Sequence, residues 1–500
     1  MKTLFTTLFT CIILFTNTYA GKLHLASLFQ EHMVLQRDMP LSIWGEAKPN
    51  ASVFIQLASD STRVTSNAEG MWKATLPAQK AGGPFTFSVR SASESHVFND
   101  VMIGEVWICS GQSNMFMGYQ QIPELKALDS LAQNIRSFRV KNTVAFSEQK
   151  YLDGSWQLKN PPSAVAFSFA YHLHKAIDVP VGIILTCWGS SSIEGWMPRD
   201  LTEKLPHFKS IMKEFDADTE KKAHIDSILS ISGTRKRKDD IFLRTQPNIL
   251  YNAMMKPLAP YACRGIVWYQ GEANSRTMES MLQYGTSLPL WIKRLRKEWH
   301  NEKLNFIGVT LPAFGNKLHK KAKSDRILEN PNAPSWAWIR ESQLKALELS
   351  NTSMITTIDL GEKNNIHPKD KLPVGQRLAL LAEKNTLGIS IDAEGPTLKK
   401  ISIKKNRIIV HFNNAQGLKT KDGEAPKAFF LADESQNWVQ AEAKIKGKTV
   451  ILQCAEISSP LYVRYAFAAM PKVNLVNRVD LPTRPFRSDT FSPPLAIEDQ

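Results

Sequence analysis

The sequence predicts an α/β fold in which a parallel-sheet core is flanked by N-terminal and C-terminal β-sandwich-like regions. Through the middle of the chain, apolar strand-like runs alternate with helix-period segments, the pattern of a parallel sheet covered by helices on both faces. Both ends carry short runs of alternating apolar and polar residues instead. With 500 residues, 43% of them hydrophobic, the chain also exceeds what one typical core accommodates.

Residues 1–20 read as a secretory signal peptide. Lys2 gives a positive start, Leu4 to Phe15 is largely apolar, and Thr18-Tyr19-Ala20 offers cleavage positions. Cleavage near Ala20 makes a secreted or periplasmic location the expected one. The apolar run is too short to span a bilayer, and no later stretch approaches the ~20 apolar residues a spanning helix needs, so no stable membrane insertion is expected.

Residues 21–99 predict an N-terminal β domain. Leu41 to Gly45 and Ser52 to Leu57 alternate, and Lys48-Pro49-Asn50 and Ala81-Gly82-Gly83-Pro84 turn the chain. Residues 100–395 predict the α/β domain. Its strands are Val101 to Cys109, Val181 to Leu185, Gly265 to Tyr269, Asn305 to Leu311 and Met354 to Ile358, and its helices are Ala164 to Ile177 and Met281 to Trp299. The polar, charged segment at about 203–243 reads as a helical insertion. Residues 396–500 return to strands at Lys400 to Ile403, Arg407 to Phe412, Thr449 to Leu452 and Leu461 to Tyr465, a C-terminal β region.

The net charge of +15 is spread widely, and its densest clusters, Arg235 to Lys238 and Lys317 to Lys323, fall in polar, loop-like segments. That pattern suits a solvated face, and nucleic acid is not expected as a partner. Cys109, Cys187, Cys263 and Cys454 are too sparse for a disulfide scaffold and form no C-x-x-C pair, so buried free thiols are expected.

Ligands of open α/β sheets bind beyond the carboxyl ends of the strands, and three features fall there. The first is Ser110-Gly111-Gln112-Ser113-Asn114-Met115. A serine in a tight strand-to-helix turn exposes its hydroxyl, and its own N–H can face a developing oxyanion. A serine after a strand also serves as a helix cap, so position alone leaves both roles open. The second is Gln270-Gly271-Glu272-Ala273-Asn274, which closes the strand ending at Tyr269, and the third is Gly189, beyond Leu185.

The block Trp107 to Met115 resembles the nucleophile block of the sialate O-acetylesterase family, within the SGNH/GDSL hydrolase superfamily. The resemblance continues through Gly182 to Gly189, Ile193 to Trp196, Leu250 to Met254, Trp268 to Asn274, Ile366-His367-Pro368 and Pro485 to Asp489. It implies an SGNH-like hydrolase core and a serine carboxylic ester hydrolase that removes O-acetyl groups from sugars. Ser113 would be the nucleophile, and the oxyanion hole would be built from Ser113, Gly189 and Gln270 or Asn274. The substrate it implies is an acetylated carbohydrate, most directly a 9-O-acetylated sialic acid, with acetylxylan or another polysaccharide as the alternative. A carbohydrate-binding relative with weakened chemistry is the further alternative. No metal or other cofactor is called for. Ser190 stands where the family often has a second glycine.

Of eleven histidines, the resemblance singles out His367 as the base, a role for which an imidazole is suited near neutral pH. Relatives carry an aspartate two or three residues before it, to orient the ring. This chain has Asn364 and Asn365 there. Either a Ser–His dyad works with support from Asn365 or a backbone carbonyl, or a carboxylate such as Asp359, Glu362 or Asp370 substitutes, or the chemistry is weakened. Glu272 is expected to contact substrate or to order its loop. Arg340, in a segment resembling the family's Arg-Glu-x-Gln, is expected to meet a substrate carboxylate or to make an internal ion pair.

Overall fold

The computed structural model describes residues 21–493, apart from 121, 132–133, 159–160 and 316–325. The expected signal peptide and the Lys317 to Lys323 cluster lie outside the described residues.

The apolar run at Val101 belongs to an 18-residue strand, β1 (Glu94–Gly111). Its first half pairs antiparallel with the strand Gly82–Ser91, and its middle pairs in parallel with Val34–Gln36. Its second half is the centre of the α/β sheet. A division at 99/100 therefore falls inside one continuous strand, and the polar alternation of Glu94 to Asp100 conceals it in the sequence. The N-terminal strands also share a hydrophobic cluster with the α/β region, which contains Ile43, Val53 and Trp72 beside Trp107 and Ile184.

The sheet continues through β2 (Ile135–Val140), β3 (Gly154–Gln157), β4 (Val181–Cys187), β5 (Gly265–Tyr269), β6 (Asn305–Val309) and β7 (Thr352–Ile355), in the order β3-β2-β4-β1-β5-β6-β7. All these pairings are parallel except β3 with β2. β4 and β5 flank β1, and both Cys187 and Tyr269 pair with Gly111. The three strand ends expected to carry chemistry thus stop at the same level.

The helices around the sheet are α1 (Ala164–Ile177), α2 (Pro206–Ala217), α3 (Thr219–Leu229), α4 (Arg237–Arg244), α5 (Met278–Glu298), α6 (Ala337–Leu344) and α7 (Leu372–Leu387). The Ser163 hydroxyl caps α1 by accepting from Ala166 N. α1 lies close against α7 because Gly375 has no side chain: a Cβ there would stand 2.3 Å from Ser168 Cβ. The insertion is helical as expected, forming α2 to α4. It is anchored by Phe208, Met212 and Ile225, and by Arg235, which donates to Asn142 O and Thr143 Oγ1.

The C-terminal region forms a four-stranded antiparallel sheet from Thr397–Lys404, Arg407–Asn413, Thr449–Gln453 and Glu442–Lys446. A second sheet contains Phe429–Ala432, Tyr462–Tyr465 and Phe486–Arg487. These strands close over their own cluster, which includes Val410, Leu431, Val450 and Tyr465. Cys109, Cys187, Cys263 and Cys454 are free and buried. Among the described residues, no helix is long and apolar enough to cross a membrane.

Candidate active site

β1 ends in a turn that only glycine permits. Gly111 has φ +135°, and a Cβ on it would stand 2.1 Å from Tyr269 O. Gln112 N donates to the same carbonyl oxygen at 3.0 Å, so the turn is pinned to the end of β5. Ser113 is the first residue of the short helical turn Ser113–Phe116, for which Gln112 occupies the cap position. The Ser113 hydroxyl does not cap the turn: its Oγ lies 2.8 Å from His367 Nε2.

His367 reaches the serine from the loop between β7 and α7, and that loop is tied to the nucleophile turn through Asn114. The buried Asn114 amide donates both to Ile366 O, at 3.0 Å, and to Glu272 Oε1. Its Oδ1 accepts from Lys371 Nζ at 2.6 Å. Glu272 and Lys371 are both buried, and Glu272 Oε2 has no partner among the described residues. Burial pushes the Glu272 carboxyl up to about 6 and the Lys371 ammonium down to about 8. Glu272 is thus buried and linked through Asn114 to the histidine loop, the loop-ordering arrangement that is one of its two expected roles. Lys371 and Asn114 escaped the sequence reading because neither residue type signals a buried link by itself. Burial, and secondarily the Lys371 charge, lower the His367 pKa and disfavour the imidazolium.

No carboxylate among the described residues lies within ion-pair distance of the His367 ring. Asp359 is held by both terminal nitrogens of Arg377, at 2.8 and 2.7 Å, so it is not the ring's orienting partner. Glu362 accepts from Asn365 Nδ2 and from Lys369 N. Asp370 is exposed. Asn365 acts on the loop backbone rather than on the ring: Oδ1 accepts from His367 N at 3.0 Å and Nδ2 donates to His367 O at 2.8 Å. Asn365 is thus the residue that holds the His367 backbone, and the ring's described side-chain contact is with Ser113 Oγ.

Gly189 stands beside the nucleophile, where a Cβ on it would lie 3.5 Å from Ser113 Cβ. Neither Ser113 N nor Gly189 N donates to an acceptor among the described residues, which leaves two backbone donors for an oxyanion. Ser190 has φ +60°, a conformation a glycine would take without strain. Gln270 departs from its expected role. It is fully buried, and its Nε2 is engaged by Gln112 Oε1, Ser191 O and Asn274 Oδ1 at 3.1, 3.2 and 2.8 Å. With two hydrogens facing three acceptors, it has none to offer a substrate. Asn274 Nδ2 donates one hydrogen to Glu194 Oε2 and retains the other.

Arg340 is also misplaced by the sequence reading. Its residue is 2% exposed, and its guanidinium donates to Pro312 O and Ala468 O. It makes no ion pair with Glu341, which is bound to Arg487. The cation beside the serine is instead Arg244, at the end of α4: its Nη1 lies 3.5 Å from the same point, a Cβ on Gly189, that lies 3.5 Å from Ser113 Cβ. Asp240 Oδ2 holds Arg244 Nη1 at 3.2 Å and is itself held by Trp188 Nε1 at 3.2 Å. Arg244 Nε is buried with no partner among the described residues. Nothing in its sequence context marks it, since the polar insertion resembles a solvated excursion.

Comparison with known proteins points to carbohydrate esterases. Residues 230–383 match the family model of carbohydrate esterases described as sialic acid-specific acetylesterases. The human sialate O-acetylesterase is 26% identical over 472 residues, covering 86% of this chain and 84% of that protein. The mouse protein is 27% identical over 500 residues, covering 89% and 90%. The crystal structure of a carbohydrate acetylesterase from Xanthomonas citri superposes with a TM-score of 0.80 at 31% identity, covering 94% of this chain and all of that one.

Proposed function

The chain belongs to the sialate O-acetylesterase family of SGNH-type carbohydrate esterases, and from that premise we propose that it deacetylates 9-O-acetylated sialic acids through an acetyl-enzyme on Ser113. The observation that carries this reading is the 2.8 Å contact between Ser113 Oγ and His367 Nε2 beside the two unengaged N–H groups of Ser113 and Gly189.

In this mechanism His367 Nε2 takes the Ser113 proton as Oγ attacks the acetyl carbonyl. The oxyanion is received by Ser113 N–H and Gly189 N–H, with Asn274 as the side-chain donor nearest in role. His367 then protonates the departing sugar oxygen. Water attacks the acetyl-enzyme with His367 again as base and releases acetate. The ring works without a carboxylate behind it; Asn365 fixes its loop, and burial keeps it neutral before each turnover. Arg244 supports an anionic sugar over a neutral polysaccharide, because a guanidinium beside the nucleophile can pair with a substrate carboxylate. The signal-like residues 1–20 support export.

Ser113→Ala tests the reading. Hydrolysis of p-nitrophenyl acetate is expected to fall by at least about 10³-fold; full activity in that variant would refute it. Acetate release from 9-O-acetylated sialic acid, set against release from acetylated xylan, tests the substrate. The account expects Arg244→Met to raise KM for the first substrate and to leave the second unchanged.

A further inference from the structure

A cavity of about 220 Å³ lies between α6 and the C-terminal β region, and its lining includes none of Ser113, Gly189 and His367. Three arginines line it, Arg340, Arg484 and Arg487, with one carboxylate, Glu341. That carboxylate is spent on Arg487, with Oε1 at 2.7 Å from Nε and Oε2 at 3.1 Å from Nη2. Arg487 also meets Asp489 at 2.9 Å. The other two arginines are not balanced in this way. Arg340 contacts only neutral carbonyl oxygens, and its Nε has no partner among the described residues. Arg484 approaches Glu394 no closer than 3.7 Å. Thr356, also on the lining, has a buried Oγ1 without a partner among the described residues.

A buried guanidinium without a counter-charge is costly, and water in a cavity can satisfy its N–H groups without neutralising it. Planar guanidinium forks match the two oxygens of a carboxylate. The remaining lining is apolar, with Phe467, Phe486, Leu344 and Leu398 among it. The volume lies below the roughly 300–1,000 Å³ of drug-sized sites, which limits the occupant to a small molecule. We propose that this cavity is a binding site for a small organic carboxylate, whose charged end meets Arg340 and Arg484 and whose body lies against Phe467 and Leu398.

Benzoate is the probe, titrated calorimetrically into the full-length protein, with neutral benzamide and inorganic phosphate as comparisons. Saturable benzoate binding is expected, at least about tenfold tighter than either comparison. Arg484→Gln removes a cation that is held only by a long ion pair to Glu394, and Leu398→Phe fills the apolar end without touching a charge. Each should weaken benzoate binding by about tenfold or more, while p-nitrophenyl acetate hydrolysis, read as the check on folding, stays at the wild-type rate. The proposal is overturned if benzoate shows no saturable binding or if benzamide or phosphate binds as tightly. It is equally overturned if both folded variants bind benzoate as the wild type does.

Discussion

At Gly189 a single added carbon separates folding from chemistry. A Cβ there would make ordinary contacts of 3.5 Å with Ser113 Cβ and Arg244 Nη1, so Gly189→Ala should fold with an unchanged Tm. The same methyl group would occupy the approach of the acyl group to the Gly189 N–H, and kcat/KM should drop by about 10²-fold, within the range for loss of an oxyanion donor. Asn364 offers the opposite expectation. It is exposed, and the His367 ring's described side-chain hydrogen bond goes to Ser113, so Asn364→Ala should keep kcat/KM within about twofold, where loss of a working triad carboxylate costs about 10⁴-fold. The acid limb of kcat/KM should lie below pH 6.5, because burial and Lys371 both disfavour the imidazolium. Lys371→Met removes the positive charge that helps to hold the His367 pKa down. Its limb should therefore move to higher pH, as a pH–rate profile would read directly.

The elements that build the site meet through Asn114, which joins the nucleophile turn to the histidine loop and to the end of β5. Asn114→Ala should cost about 1–3 kcal/mol for the buried partners it strands. It should also lower kcat more than KM, since the histidine loop loses its hold on the serine; chemical denaturation and steady-state kinetics read the two effects separately. Much of this assembly was legible in the sequence. Gly265–Tyr269 and Ala164–Ile177 are uniformly apolar or helix-periodic and are bounded by turn and capping residues, so their limits agree with the structure. Ser113, Gly189 and His367 came from the resemblance, and the fold brings them together. Gln270, Glu272 and Arg340 were legible as buried or site-adjacent polar residues but not in role, because a role depends on which acceptors tertiary packing places around them. Arg244 was not legible, since it is the folding of α4 against Trp188 that turns it toward the serine.

Across the whole molecule, the N-terminal strands share their core with the α/β sheet, whereas the C-terminal sheets keep a separate one. The C-terminal region is fixed by Arg464, fully buried against Asp489 at 2.8 Å and donating to Pro331 O at 2.7 Å. Arg464→Met leaves Arg487 as the remaining cation on Asp489 and should destabilise the protein by about 3–5 kcal/mol. Since Arg464 lies away from the ester site, kcat/KM measured well below Tm should not change. The centre of the account is that this architecture delivers one activated serine to one neutral imidazole. Labelling with a fluorophosphonate, followed by peptide mass spectrometry, tests that most directly. The account predicts a single adduct on Ser113 that forms at least about 10²-fold more slowly in His367→Ala. An adduct on another residue, or His367→Ala labelling at the wild-type rate, would contradict it.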